Sequence, residues 1–200
     1  MGITAEMVKE LRQATGAGVL DCRKALEASN GDFDAAVAYL REKGLAEAAK
    51  RTDRAASEGV IEVYAHPGNR VGVMLEVNCE TDFVARTPEF RALAHDLALH
   101  IAFAAPRYIT RDEVPSDVIE AEKAIYRAQA LEEGKPEHIV DRIVEGRLEK
   151  FYRTVCLMEQ PFVKDEDRTV EEVIKEHIAR IGENIVVRRF ARYELGEDVG

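Results

Sequence analysis

The sequence predicts an α+β protein in which a three-helix bundle is followed by a small antiparallel β-sheet packed with helices. Three observations predict this class. Apolar residues recur at helical spacing through the first fifty positions, and the period changes from 3.6 to 2 over residues 60–77. Helical spacing then returns over most of residues 88–181, before a β-rich stretch over residues 185–195.

The first three helices have recognisable ends. Thr4 can cap the first helix, and the Thr-Gly-Ala-Gly run at residues 15–18 ends it. A second helix is predicted over residues 19–28, and Asp32 can cap a third. The side chains at core-facing positions are Ile3, Met7, Leu11, Ala14, Val19, Cys22, Leu26, Phe33, Ala36, Val37 and Leu40. This pattern predicts a helical bundle over residues 1–52, followed by a connector over residues 53–58.

The remainder, residues 59–200, is predicted as an α+β core domain that opens with a β-hairpin. Residues 60–64 have β character, and Pro67 and Gly68 suit the two central positions of a tight turn. The return strand alternates, and its apolar side is formed by Val71, Val73, Leu75 and Val77. The hairpin therefore has one face that we expect to be buried.

Four helices are predicted after the hairpin. Thr87 and Pro88 are typical of a helix start, and the helix that they open is apolar on nearly all sides, which is typical of a central, buried helix. Thr169 begins a capping box that opens the last helix, and Gly182 closes it. The predicted helices cover residues 88–105, 117–131, 136–156 and 170–181, followed by a strand over residues 185–195.

Composition excludes several classes of protein. The 200 residues include 28 Lys and Arg against 38 Asp and Glu, which gives a formal net charge of −10. This acidity argues against direct nucleic-acid binding, because phosphate contacts need clustered Lys and Arg. The three cysteines lack metal-ligand spacing, and neither a leader peptide nor a membrane span is visible. We expect a cytoplasmic protein with reduced thiols and no membrane contact.

Nothing in the sequence indicates an enzyme active site, a cofactor or a metal centre. A phosphate-binding loop, an HExxH metal pair and a GxSxG nucleophile elbow are all missing. The Gly16 to Gly18 run is half of a dinucleotide fingerprint, but it follows a helix where that motif requires a strand. We interpret it as an interhelical turn.

One segment does indicate a site. Residues 78–86, here called the signature loop, read Asn-Cys-Glu-Thr-Asp-Phe-Val-Ala-Arg and join the return strand to the next helix. An aromatic residue on a loop between two rigid elements is well placed to enter a partner protein. The alternative is that Phe83 turns inward to the core and that Asp82 only caps a helix.

The signature loop closely resembles the signature of the elongation factor Ts family, the nucleotide exchange factors of elongation factor Tu. Two other segments resemble motifs of that family. They are the opening stretch, with Val-Lys-Glu-Leu-Arg at residues 8–12 and Thr-Gly-Ala-Gly at 15–18, and Gly-Glu-Asn-Ile-Val-Val-Arg-Arg at residues 182–189. The resemblance covers essentially the whole chain. It implies that residues 1–52 form a ubiquitin-associated-like bundle.

The resemblance also implies a mechanism and a set of partner-binding residues. Those implied to displace Mg²⁺ in elongation factor Tu and so promote GDP release are Thr81, Asp82, Phe83 and Val84. The bundle would dock on the same partner, in its GDP-bound and nucleotide-free states. The candidate docking residues are Lys9, Arg12, Gly16, Gly18, Val19 and Leu20. Val19 and Leu20 could equally belong to the bundle core.

Length raises one further expectation. Longer family members carry a second core module, so this chain resembles the short form, in which a homodimer is expected to supply the second half. The strand at residues 185–195 could pair across such an interface. Its arginines, Arg188, Arg189 and Arg192, could instead protect an exposed edge.

Two other classes stay open at this point. One is a helical adaptor that binds a partner without altering nucleotide release, and the other is a small α+β enzyme built from scattered carboxylates. Nucleotide release from elongation factor Tu discriminates among all three.

Overall fold

The computed structural model describes residues 2–197. Its helices are Ala5–Thr15 (α1), Val19–Ala28 (α2), Phe33–Ala49 (α3), Asp82–Ala85 (α4), Pro88–Ala104 (α5), Ser116–Glu132 (α6), Glu137–Val155 (α7) and Val170–Ile181 (α8). Its strands are Glu58–Ala65 (β1), Val71–Cys79 (β2), Pro161–Phe162 (β3), Asp165–Thr169 (β4) and Ile185–Glu194 (β5). The predicted α+β class is confirmed.

Local signals explain the ends of the bundle helices. The Thr4 hydroxyl accepts the Met7 N–H at 3.3 Å, and the Asp32 carboxylate accepts the Ala35 N–H at 2.9 Å. Gly16 ends α1 in the left-handed region, with φ of 70°, which favours glycine. The buried centre of the bundle consists of Leu11, Cys22, Ala25, Leu26 and Ala36.

Two residues assigned to the bundle core from helical spacing do not belong to it. Ala14 and Val19 are both exposed. Ala14 lies in the last turn of α1 and Val19 is the first residue of α2, so helical spacing alone did not decide their burial. α3 continues without a break to Ala49 and ends before the segment 53–58 that was predicted as a connector.

Backbone contacts divide the chain into two compact units. The first contains the chain through Gly59, the segment Asn78–Thr87 and the segment Glu172–Val186. The second contains Val60–Val77, Pro88–Glu171 and the chain from Val187 onward. The domain boundaries at 1–52, 53–58 and 59–200 stay predictions, and residues 198–200 lie outside the described part of the chain.

The three-stranded sheet has the order β1-β2-β5. The β1–β2 turn follows its sequence signal, because the Asn69 N–H donates to the His66 carbonyl at 2.9 Å and Gly68 has φ of 91°. On β2, Val73, Leu75 and Val77 are buried, Val71 is half-buried and Met74 is exposed, so the predicted face is buried at three of its four positions.

Among the described elements of the second unit, α5 contributes the largest number of buried residues. This helix buries eight residues: Phe90, Leu93, Ala94, Leu97, Ala98, His100, Ile101 and Ala102. The expectation of a helix buried on nearly all sides is wrong at Ala92 and Phe103, which are exposed. α6 and α7 pack against each other, and the buried residues of α7 are Val140, Val144, Phe151, Tyr152 and Val155.

Sequence reasoning missed the short β3–β4 pair. Pro161 pairs with Thr169 and Phe162 with Asp165. The β4 residues are Asp-Glu-Asp-Arg-Thr, which lack the apolar alternation by which a strand is recognised. None of the helices described over residues 2–197 is both long and apolar enough to cross a membrane.

Candidate partner-binding site

The signature loop contains a single helical turn, α4, at its centre. Thr81 caps this turn, since its hydroxyl accepts the Val84 N–H at 3.4 Å. Asp82 forms an ion pair with Arg86 at 2.7 Å, one turn further along. Thr81, and not Asp82, is therefore the capping residue.

Phe83 points outward from this turn. Its exposed fraction is 79%, whereas Ala85, two residues later, is buried and Val84 is half-buried. The alternative interpretation, that Phe83 turns inward to the core, is therefore wrong. A phenyl ring left in water gives up about 2 kcal/mol of burial free energy, so a role in binding would account for its position.

A carboxylate far along the chain holds the start of the turn. The Glu183 side chain accepts the backbone N–H groups of Glu80 at 3.1 Å and of Thr81 at 3.0 Å, and also the Thr81 hydroxyl at 2.7 Å. The Glu80 carboxylate in turn accepts the Asn184 N–H at 2.7 Å and lies 3.5 Å from the Arg54 guanidinium. Two short segments thus exchange hydrogen bonds between carboxylates and backbone N–H groups.

Two more contacts fix the base of the loop. The buried Cys79 thiol donates to the Thr81 carbonyl at 3.2 Å. Burial, together with the nearby Glu183 carboxylate, raises the pKa of this thiol to about 11. Cys79 is therefore a neutral hydrogen-bond donor and not a thiolate nucleophile.

The second group of predicted residues lies in the bundle. Gly18 precedes α2 without a side-chain capping bond, and the exposed fractions of Val19 and Leu20 are 51% and 73%. The alternative that these two residues belong to the bundle core is therefore wrong. Lys9 and Arg12 are exposed on α1.

Gly16 lies in a close contact within the same unit. A Cβ at this position would lie 3.2 Å from the Arg180 Cδ, and the left-handed backbone already disfavours other residues.

Residues 2–197 contain no group of three or more His, Cys, Asp or Glu side chains that could hold a metal ion. The described features are instead an exposed aromatic side chain on a hydrogen-bonded turn and an exposed apolar helix start. Both are typical of surfaces that bind another protein.

Comparison with known proteins identifies the family. The family model described as elongation factor TS matches residues 5–197. Similar proteins include the elongation factor Ts of Syntrophomonas wolfei, 59% identical over 98% of this chain and 92% of that protein. Those of Desulforamulus reducens and Moorella thermoacetica are 61% and 58% identical over 98% of this chain, and over 90% and 97% of their own lengths.

The chain belongs to the elongation factor Ts family. The family role is guanine-nucleotide exchange on elongation factor Tu during translation elongation.

Proposed function

We propose that this chain promotes GDP release from elongation factor Tu by inserting the signature loop into the partner and displacing its Mg²⁺, so that GTP can bind. The observation that carries the proposal is Phe83, which is largely exposed on a turn that Thr81 caps and that Glu183 holds at its start. A rigid, outward aromatic side chain is the kind of group that dominates protein interfaces.

The thermodynamics of exchange need no reactive side chain. Nucleotide-binding proteins of this class hold the phosphates through a phosphate-binding loop and a bridging Mg²⁺. A factor that binds the nucleotide-free state better than the GDP-bound state lowers GDP affinity, and GDP lowers the affinity of the factor by the same ratio. No covalent bond is made or broken, so the proposed activity is not that of an enzyme and uses no catalytic residue or cofactor.

Each residue of the turn has a proposed part in this step. Phe83 enters the nucleotide domain of the partner and moves the Mg²⁺ ligands. Thr81 holds the turn in shape, while Asp82 and Val84 flank the ring and contact the partner around it. The Asp82–Arg86 ion pair is solvent-exposed, so we expect Asp82 to exchange partners at little cost.

The bundle is proposed to dock on the partner separately from the loop. Val19 and Leu20 supply an exposed apolar pair, with Lys9 and Arg12 as exposed cations and Gly16 and Gly18 allowing the backbone to approach closely. Contact with RNA is not part of the proposal, because elongation factor Tu would make those contacts. The proposed place of action is the cytoplasm.

A homodimer is also proposed, with a second copy of the chain on the exposed face of the sheet. Ile61 and Val63 of β1 and Met74 of β2 are each more than half exposed, as is Tyr193 of β5. An apolar face of this kind is typical of an interface between subunits. Arg189 pairs with Glu76 at 2.6 Å, so it is already bound within its own sheet. Sedimentation equilibrium of the wild type and of a Val63→Glu variant tests this proposal, and a monomeric wild type contradicts it.

The main test measures nucleotide release. Elongation factor Tu loaded with a fluorescent GDP analogue is mixed with excess unlabelled GDP, with and without this protein. We expect faster release that saturates as the factor concentration rises. Unchanged release would contradict the exchange function and favour a simple adaptor, whereas conversion of the nucleotide would favour an enzyme.

A further inference from the structure

The Glu183 carboxylate lies just beyond the C-terminal end of α8, yet all three of its hydrogen bonds described above go to the signature loop. Its two oxygens accept hydrogen bonds from different donors. Oε2 accepts the two backbone N–H groups of Glu80 and Thr81, and Oε1 accepts the Thr81 hydroxyl. Hydrogen bonds to an ionised carboxylate are about twice as strong as neutral ones.

These three bonds act on the residues that determine the direction of Phe83. Glu80 and Thr81 are the last residues before α4, and the Thr81 hydroxyl is also the cap of that turn. A four-residue helix is too short to be stable by itself. Its direction therefore depends on how Glu80 and Thr81 are held.

The reverse contact makes this arrangement reciprocal. The Glu80 carboxylate accepts the Asn184 N–H, and the Asn184 side chain donates to the carbonyls of Thr52 at 3.0 Å and Arg54 at 2.7 Å. Gly182, with φ of 87°, permits the sharp turn that brings Glu183 to the loop. The loop is thus held by Glu183 and Asn184, and Asn184 is itself held by backbone carbonyls of a third segment of the same unit.

We propose that Glu183 is a positioning residue for nucleotide exchange, which orders the signature loop so that Phe83 points outward before the partner arrives. This inference rests on the proposed function. Ordering a binding loop in advance removes the entropy loss that would otherwise accompany insertion. Glu183 acts through the backbone of Glu80 and Thr81 and does not touch the partner.

The kinetic test compares Glu183→Ala with Glu183→Gln in the release assay. We expect Glu183→Ala to lower the maximal release rate about tenfold, because the variant loses all three hydrogen bonds that hold the start of the turn. The half-saturating concentration of factor should change by less than about twofold, since docking through the bundle is unaffected. Glu183→Gln retains an oxygen acceptor for the two N–H groups, so we expect it to recover most of the rate.

The control variant is Glu145→Ala. Glu145 is an exposed acid on α7, outside the signature loop and the bundle. The Glu145→Ala substitution removes one carboxylate charge, as Glu183→Ala does, so an effect of net charge would appear in both of these variants. We expect Glu145→Ala to release nucleotide at the wild-type rate.

A second measurement needs no partner. The chain has six tyrosines but no tryptophan, so Phe83→Trp introduces a single tryptophan in the loop, which can be excited at wavelengths where tyrosine does not absorb. We expect Glu183→Ala to lower the fluorescence anisotropy of this reporter, and Glu145→Ala to leave it unchanged. Because elongation factor Tu is absent, this readout tests loop order even if the exchange function itself fails.

Three outcomes would overturn the inference. One is a Glu183→Ala variant with wild-type release rate and wild-type anisotropy. Another is an equal change in half-saturating concentration and maximal rate, which would mean that Glu183 contacts the partner directly. The third is a loss of rate in both Glu183 variants that follows a loss of helical circular dichroism at the assay temperature, which would make the role purely structural. Failure of the wild type to release GDP would instead refute the proposed function alone.

Discussion

Phe83 and Leu20 are exposed to nearly the same degree, at 79% and 73%, but their surroundings hold them in different ways. Phe83 lies on a four-residue turn that depends on the carboxylate of Glu183, about a hundred positions further along the chain. Leu20 lies in the first turn of a ten-residue helix that buries Cys22, Ala25 and Leu26 in the bundle core.

This difference shows that the exposure of a binding residue and the contacts that hold it in place are separate properties. A helix that packs into a bundle along its length is held by many contacts, so the loss of one contact leaves the direction of its side chains unchanged. A single turn is held by a few hydrogen bonds, so substitution of Glu183 should affect Phe83 and leave Leu20 unchanged. Phe83 should govern insertion into the partner, which needs a rigid group, and Leu20 should govern docking, which needs only apolar area.

The largest expected effect is that of Phe83→Ala. We expect the maximal rate of GDP release to fall about 100-fold, because truncation of a central aromatic anchor removes most of an interface's effective energy. The melting temperature should stay within a degree or so of the wild type, since the ring is exposed and leaves no cavity.

Phe103→Ala is the matched control for that variant. Phe103 is 78% exposed at the end of α5, so the same truncation is made at the same exposure but outside the signature loop. If both variants lowered exchange equally, the signature loop would have no special role.

Leu20→Ala is expected to produce the next largest effect. It should raise the half-saturating concentration of factor about tenfold and leave the maximal release rate unchanged, because docking weakens while insertion does not. Leu131→Ala, at a half-exposed leucine of α6, is the control and should behave as wild type. A lower maximal rate for Leu20→Ala would break the proposed division between docking and insertion.

The local part of this structure was predictable from sequence. The bounds predicted for α2 are those observed, and the Thr4 and Asp32 caps form the expected bonds. Such features depend on residues three or four positions apart, so a single sequence contains all the information that they require.

The hydrogen bonds that hold the signature loop could not be predicted in the same way. The sequence indicated the signature loop, and it also indicated a strand from residue 185, which β5 confirms, but no pattern in it connected Glu183 with the loop. The hydrogen bonds from Glu80 and Thr81 to Glu183 join positions more than a hundred residues apart. No spacing rule covers that separation, because it is fixed by how the chain returns and not by helical or strand period.

A smaller effect is expected from Thr4→Ala, which tests a capping contact between residues close in sequence. Loss of the hydroxyl that accepts the Met7 N–H should lower the free energy of unfolding by about 1 kcal/mol. Exchange at 25 °C should be unchanged. Thr110→Ala is the control, since Thr110 precedes a short 3-10 turn at Arg111–Glu113 without a side-chain capping bond. Equal losses of stability in both variants would contradict the role of Thr4 as a cap.

The smallest effect at neutral pH is expected at His100, which, like the signature loop, is held by residues distant in sequence. This buried imidazole accepts the Val163 N–H at Nδ1, 3.2 Å away, and Nε2 donates to the Gln160 side chain at 3.0 Å, which assigns the neutral tautomer. Burial lowers the pKa of His100, although the hydrogen bond to Gln160 opposes that shift.

The sign of the pH dependence follows from this direction. Above about pH 6.5 the imidazole is neutral in both the folded and the unfolded chain, so it makes no pH-dependent contribution. As the pH falls below that value, the unfolded chain binds the proton first, and the free energy of unfolding decreases until the folded pKa is reached. Urea midpoints measured between pH 7.5 and 5.5 should therefore fall less steeply for His100→Gln than for the wild type, while His138→Gln, at an exposed position on α7, keeps the wild-type slope. Equal slopes for all three proteins would mean that His100 takes up its proton as readily in the folded chain as in the unfolded chain. Contacts distant in sequence would then hold Phe83 in place without keeping a charged imidazole out of the core of the second unit.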